Sequence, residues 1–183
     1  MNGFNEAKLL AQLNNPLRRS VAFGKIVQEY QQPIYWHIRK MVLNHDDAND
    51  VMQTTFMKAW TALDSFRGES KISTWLFRIA VNETITFINS LKTRNSYSID
   101  NFEDSMAQNL EADQYFSGDE AQLKFQKAIL TLPEKQRLVF NMKYFDDLKY
   151  EEIEAILGTS VGALKASYHH AVKKIEASLL SDI

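Results

Sequence analysis

The sequence of 183 residues predicts an all-α fold: two small helical domains joined by an acidic, flexible linker. Three observations carry that prediction. Sustained period-two alternation is nearly absent, and no Asn-Gly or Asp-Gly step separates two alternating runs. Apolar residues recur at helical spacing along most of the chain. That spacing dissolves from Asn95 to Gly118, where NSYSIDNFEDSMAQNLEADQYFSG is polar and acidic with no steady period. So long a stretch is unusual inside one compact domain and argues for two.

The first set of helices is expected at 6–14, 17–31, 33–43, 46–63 and 73–93. Pro16 and Pro33 sit where helix starts are expected. NHDDAND supplies a capping run with Asp46 as the expected N-cap, and its early carboxylates suit the positive end of the helix dipole. Helical patterns return at 119–131, 134–145, 149–157 and 160–179, with Pro133 opening the second of these. The intervening segment reads either as a solvated tether that self-repels and extends, or as a negative strand of chain for a basic groove on a partner.

Composition narrows the function. Hydrophobic residues make up 45% of the chain, enough for a packed core. The absence of cysteine excludes a disulfide framework, a thiolate zinc site and a cysteine nucleophile. MNGFNEAKLL lacks the basic start and apolar run of a signal peptide, and no stretch is apolar for long enough to span a membrane. A soluble cytoplasmic protein is expected. The net charge of −2 hides an uneven distribution. Residues 1–94 carry 12 Lys/Arg against 8 Asp/Glu, residues 95–122 carry 7 acids and no base, and residues 123–183 carry 9 bases against 8 acids. A basic N-terminal half is therefore compatible with nucleic acid despite the acidic total.

The segment YEEIEAILGTSVGALKASYHHAVKKI is the most legible. Ile153, Ile156 and Leu157 make the inner face of a short helix, and Gly158 is where a left-handed residue would end it. Ser160 then caps a second helix, on which Val161, Leu164, Tyr168, Ala171 and Ile175 form one buried stripe. The pattern is a helix-turn-helix, although a plain helical hairpin shares it. The outer face of the second helix holds Gly162, Lys165, Ala166, His169 and Lys173. Its small residues allow close approach to DNA, and the lysines reach phosphates or base edges. Adjacent His169 and His170 point about 100° apart and do not make a metal site.

A second motif, FRGESKISTWLFRIAVN, places Trp75, Arg78 and Asn82 at i, i+3 and i+7 on one helix face, just after a loop containing Gly68. Trp75 reads equally as an exposed aromatic or as part of the core with Leu76, Phe77 and Ile79. Arg78 reads as exposed, because an unpaired charge is not buried.

With these motifs in hand, the chain resembles the extracytoplasmic-function (ECF) sigma factors, small two-domain promoter-specificity subunits of bacterial RNA polymerase. Three blocks carry the likeness, over about residues 20–95 and 119–179. DDANDVMQTTFMKAW resembles the helix that docks sigma domain two on the polymerase clamp. FRGESKISTWLFRIAVN resembles the loop and helix that open and read the −10 element. LPEKQRLVFNMKYFDDLKYEEIEAILGTSVGALK resembles domain four, the helix-turn-helix that reads the −35 element. The resemblance implies domain two at 1–94, a linker at 95–118 and domain four at 119–183. It also implies a linker that threads the polymerase near the active-site cleft and RNA exit path.

For −10 recognition it implies Phe66, Arg67, Gly68, Glu69, Ser70, Lys71, Trp75, Arg78, Asn82, Lys92 and Arg94. The loop would hold a flipped base, an aromatic would replace lost stacking, and the cations would track the opened strand. For −35 recognition it implies Ser160, Gly162, Lys165, Ala166, His169 and Lys173. Ser167, His170 and Val172 stand where arginine is common in the family, which points to an atypical −35 sequence or weaker phosphate contact. Polymerase docking falls to Asp47, Asp50, Val51, Gln53, Phe56 and Trp60, a charged edge around an apolar anchor. The implied partners are core RNA polymerase, through its clamp and flap regions, and promoter DNA, with an anti-sigma factor as a further candidate.

No cofactor, metal, small-molecule substrate or catalytic residue is expected, since the sequence has no phosphate loop, nucleophile elbow or zinc-protease motif. The competing reading is a free-standing helix-turn-helix regulator that binds duplex DNA without polymerase.

Overall fold

The computed structural model of the chain describes residues 6–13, 15–94, 106, 108, 110 and 120–181. Every regular element among them is helical. The first unit contains α1 (Glu6–Leu13), α2 (Arg19–Val42), α3 (His45–Ala62), a 3-10 turn (Leu63–Ser65) and α4 (Ile72–Arg94). The second contains α5 (Glu120–Leu130), α6 (Glu134–Tyr144), α7 (Tyr150–Leu157) and α8 (Val161–Ser181). Among the described residues no helix is long and apolar enough to cross a membrane.

Helices α2, α3 and α4 pack on one another, with α1 against α2. Ile26, Ile34, Ile38, Met41, Leu76 and Ile88 are fully buried at their centre. Each such side chain contributes about 1.5–3 kcal/mol relative to its exposed state. In the second unit Phe140 is stacked against both Tyr144 and Tyr168, with ring centroids 5.2 and 5.6 Å away. Ala128, Ile129, Leu132, Ala171 and Ile175 complete that core.

Several expectations change. The helices expected at 17–31 and 33–43 are one helix, α2, with Pro33 inside it. The proline lacks the N–H that would bond the carbonyl of Glu29. Pro33 is exposed, while Ile26 and Ile34 on either side are buried. Core contacts on the inner face hold the helix across a missing bond on the solvent face. The N-cap of α3 is Asn44 rather than Asp46: its side chain accepts a hydrogen bond from the N–H of Asp47 at 3.0 Å. Leu43 sets that register. It closes α2 in the left-handed conformation, φ 56°, and buries its side chain, so the chain turns into α3 within two residues.

Within the expected linker only residues 106, 108 and 110 are described, and all three are helical. Met106 and Leu110 are buried in the main apolar cluster, so the segment supplies core residues as well as a connection. The rest of the linker lies outside the described residues.

The two units lie against each other. Helix α2 packs on α6 and α4 packs on α7. The main apolar cluster runs across the seam, joining Leu138, Met142, Ile153 and Leu164 to the core of the first unit. A group of polar contacts lines the same seam and falls on the residues of interest below.

Candidate nucleic-acid interface

The loop between the 3-10 turn and α4 carries Phe66, Arg67, Gly68, Glu69, Ser70 and Lys71. Gly68 has φ +71° with open space around the position of a Cβ, so the backbone conformation, and not crowding, favours glycine. Arg67, Gly68, Glu69 and Lys71 are exposed and Ser70 is half-buried. Beside the loop is a hollow of about 280 Å³ bordered by Leu10, Leu13, Arg19, Asp64, Phe66 and Gly68. Arg19 and Asp64 are paired at 2.7 Å on its rim. Sequence reasoning found the loop but not this wall. α1 and the start of α2 come to the loop only through folding, and no local motif marks them.

Helix α4 begins at Ile72, and the N–H of Trp75 donates to the carbonyl of Lys71. Trp75 is neither free nor fully interior: it is half-buried, with its ring 4.9 Å from that of Phe66 at a tilt of 37°. Arg78 and Asn82 lie exposed further along, and Arg94 is exposed at the helix end. Lys92 is half-buried.

Three of these cations reach across the seam. Lys71 Nζ lies 3.0 Å from Glu152 Oε1, the Arg78 guanidinium donates to the carbonyl of Ala155, and Lys92 Nζ lies 2.7 Å from Glu134 Oε2. Glu152 also accepts the backbone N–H of Lys149 at the start of α7. That bond, followed by the Lys71 ammonium, holds the Glu152 carboxyl below its ordinary pKa. Deeper in the seam Asp146 accepts from His37 Nδ1 and Lys40 Nζ, each at 2.6 Å. Burial alone would raise the Asp146 pKa, but the hydrogen bonds and charges of His37 and Lys40 outweigh it and hold it low. Asn141 extends its amide to Met41 Sδ at 3.3 Å.

In the second unit, Gly158 ends α7 in the left-handed conformation, φ 68°, and its N–H returns to the carbonyl of Glu154 at 2.8 Å. Ser160 Oγ accepts the N–H of Ala163 at 3.4 Å, and Glu154 reaches the N–H of Val161 at 3.3 Å. These bonds fix the angle at which α8 leaves. Leu164, Ala171 and Ile175 are buried, with Val161 and Tyr168 half-buried beside them. Ser160, Gly162, Lys165, Ala166, His169 and Lys173 are all exposed on the other face. Lys165 Nζ lies 5.8 Å from the centre of the Tyr150 ring.

The α3 set divides. Val51 is 3% exposed and belongs to the core between helices, so it is not available as a docking anchor. Its position in the heptad-like rhythm of α3 turns it inward. Phe56 is also buried, against Phe23, but its edge borders an open apolar groove of about 500 Å³ between α2 and α3. Gln53 and Trp60 line that groove, and so does Met57, which sequence reasoning missed. Met57 is 70% exposed and Trp60 41%, a large apolar pair at i, i+3 facing solvent. That spacing was visible in the sequence. Asp50 is exposed nearby, while Asp47 is half-buried. Burial, then the charges of Asp50 and Asp46, raise the Asp47 pKa against the opposing pull of Arg94.

Known proteins share this arrangement. The Sigma-70 region 2 family model matches residues 26–94, and the Sigma-70 region 4 model matches residues 122–175. The chain is 35% identical over 168 residues to the ECF RNA polymerase sigma factor SigW of Bacillus subtilis, covering 86% of this chain and 89% of that protein. It is 33% identical over 168 residues to the ECF RNA polymerase sigma-E factor of Escherichia coli K12, covering 85% of each.

Among solved structures, CnrH in complex with the cytosolic domain of CnrY superposes with a TM-score of 0.71 at 24% identity, covering 97% of this chain and 99% of that one, and shares its fold. The sigma factor RpoE of Bartonella quintana, in complex with the anti-sigma factor NepR, superposes with a TM-score of 0.63 at 25% identity, covering 87% and 99%. With both sigma regions matched in order and relatives aligned over most of its length, the chain belongs to the ECF family of RNA polymerase sigma factors.

Proposed function

We propose that the chain binds core RNA polymerase and directs it to promoters through two separate DNA faces, one on α4 and one on α8. The observation that carries this reading is the outer face of α8, where six assigned residues stand together in solvent behind a rigid Gly158 turn. The helix-turn-helix engages the −35 element as duplex, with Lys165 and Lys173 on phosphates or base edges. The loop at 66–71 and the hollow beside it hold an unstacked −10 base. Phe66 and Trp75 supply aromatic surface, and Arg78 and Asn82 contact the strand.

Polymerase docks on the α2/α3 groove, where Met57 and Trp60 act as anchors and Asp50 and Gln53 as the polar edge. The units of function are residues 1–94 and 119–183, with 95–118 setting the reach between them. An anti-sigma factor is a further partner on this reading, as the name of the Bartonella complex states for its own sigma factor. The reading assigns the chain no catalytic step and places it in the cytoplasm.

Net charges of only +4 on residues 1–94 and +1 on residues 123–183 give little counterion release, so each binds DNA weakly alone. Tethering both to one large enzyme raises the effective concentration of each at its element. A run-off transcription assay with core polymerase over a promoter library tests the reading: discrete start sites are expected only when the chain is present. A gel shift with and without core separates it from a free-standing regulator, which would bind duplex DNA unaided.

A further inference from the structure

We propose that Met57 is an oxidation site on the α2/α3 groove: in the free chain a peroxide converts its thioether to the sulfoxide, and the oxidised groove docks polymerase more weakly. The proposal rests on the reading of this groove as the polymerase-docking surface.

Exposure singles out this sulfur. The chain has six methionines and no cysteine, so thioethers are its only sulfur targets for an oxidant. Met1 lies outside the described residues. Met41 and Met142 are fully buried and Met106 is 3% exposed, each inside the main apolar cluster. Met52 is half-buried against that cluster. Met57 is 70% exposed. An oxidant arriving from solvent therefore meets Met57 ahead of these four.

Position gives the reaction a consequence. The groove of about 500 Å³ is walled by Phe23, Val27, Phe56 and Trp60 together with Met52 and Met57. Trp60 is held by Phe23, with ring centroids 5.1 Å apart, and by the Arg19 guanidinium, 5.5 Å from its ring centre. Met57 stands one turn before it and reaches into solvent. A flexible apolar thioether suits a docking surface, because it adapts to whatever packs on it. Oxidation makes that side chain polar and chiral. Water solvates the sulfoxide oxygen in the free chain. Docking strips the water away, and Phe23, Val27 and Phe56 offer no hydrogen-bond donor in exchange.

The chemistry is a single oxygen transfer. The Met57 sulfur takes one oxygen of hydrogen peroxide: the O–O bond breaks, an S–O bond forms, and the other oxygen leaves with both hydrogens as water. The sulfur loses two electrons and the peroxide gains them. The step is reversed by the two epimer-specific methionine sulfoxide reductases. A dithiol supplies the electrons and becomes a disulfide, and the oxygen departs as water. Only the free chain is open to the reaction, since a docked polymerase covers the groove.

The test uses the full chain. It is treated with hydrogen peroxide, the peroxide is removed with catalase, and untreated core polymerase is added afterwards. Peptide mapping by mass spectrometry should find the sulfoxide at Met57 while Met41, Met106 and Met142 stay unmodified. Affinity for core should fall about tenfold, and the paired reductases should restore it. Met57→Leu keeps an apolar side chain there and every other methionine. Whatever its own affinity, the same treatment should leave that affinity unchanged. Core bound before the peroxide is added should protect Met57 of the parent chain.

Met57 modified no faster than the buried methionines, or modified with undiminished affinity for core, overturns the proposal. So does an equal loss in treated Met57→Leu, or a loss that the reductases do not restore, since either places the damage elsewhere. Trp60→Ala, with no oxidant, isolates the underlying reading. Weakened binding in Trp60→Ala beside undiminished binding of the oxidised chain leaves the docking groove standing without the switch. Unchanged binding in Trp60→Ala, or a Met57 that core does not protect, removes the groove reading as well.

Discussion

The faces of α4 and α8 use the same chemistry and meet different surroundings. Both present lysine or arginine with small or amide side chains along one side of a long helix. On α8 that side looks into solvent, behind a turn fixed by Gly158 and Ser160. At α4 three of the cations also meet α6 and α7, which supply Glu134, Glu152 and the carbonyl of Ala155, while Arg78, Asn82 and Arg94 stay exposed. Composition makes a surface suitable for DNA. Availability is decided by what a distant part of the chain places over it.

The largest effect is expected in the seam between the units, where Asp146 meets α2. Asp146→Ala leaves His37 and Lys40 without their shared carboxylate and should cost about 3 kcal/mol in urea denaturation followed by circular dichroism. A loss below about 0.5 kcal/mol would mean that the buried seam contributes no stability and that the two faces differ only by chance packing.

Next comes Arg78→Ala. It removes one donor from the α4 face, so promoter opening with core polymerase, read by permanganate, should fall about tenfold. Opening at the level of the parent chain would place strand binding elsewhere than on α4.

Lys165→Ala touches the open face and should act more gently. A lost phosphate contact lowers −35-dependent transcription a few-fold and reduces the salt slope of binding by about one. Unchanged −35 dependence would show that the wrong side of α8 has been assigned.

The smallest effect is that of pH. Asp146 and Glu152 both titrate below their ordinary values in the docked form. Such carboxylates stabilise docking above their undocked pKa, about 4, and lose that contribution as pH falls through the lower docked value. Stability in urea should therefore carry this contribution unchanged from neutrality to about pH 5 and lose it in the range below about 4. A rise in stability on acidification would contradict the seam's charge arrangement.

Much of this was legible from residues alone where the determinant is local. The Gly158 turn, the Leu164, Ala171 and Ile175 stripe and the exposed side of α8 all follow from helical period and capping chemistry within one segment. The start of α3 was less legible, because Asn44 and Asp46 both qualify as caps. The left-handed Leu43, fixed by burial of its side chain, chose between them. Pro33 misled for the same kind of reason: a local break signal was overridden by core contacts on the opposite face. Val51, expected as a docking anchor, is buried, and Met57, given no role from the sequence, faces solvent, since an apolar residue on a helix does not announce whether a neighbour covers it.

By itself, the sequence determined that this chain is helical and where the Gly158 turn falls, and it nominated the residues proposed to meet DNA, since each depends on neighbours within a few positions. Only the tertiary structure decided that α1 walls the hollow beside the 66–71 loop and that Asp146 finds His37 across 109 residues of chain. The same holds for the contacts that α6 and α7 make with Lys71, Arg78 and Lys92. The reason is physical: burial and charge pairing between distant segments depend on how whole helices pack, and no period or spacing in the chain encodes that partner in advance.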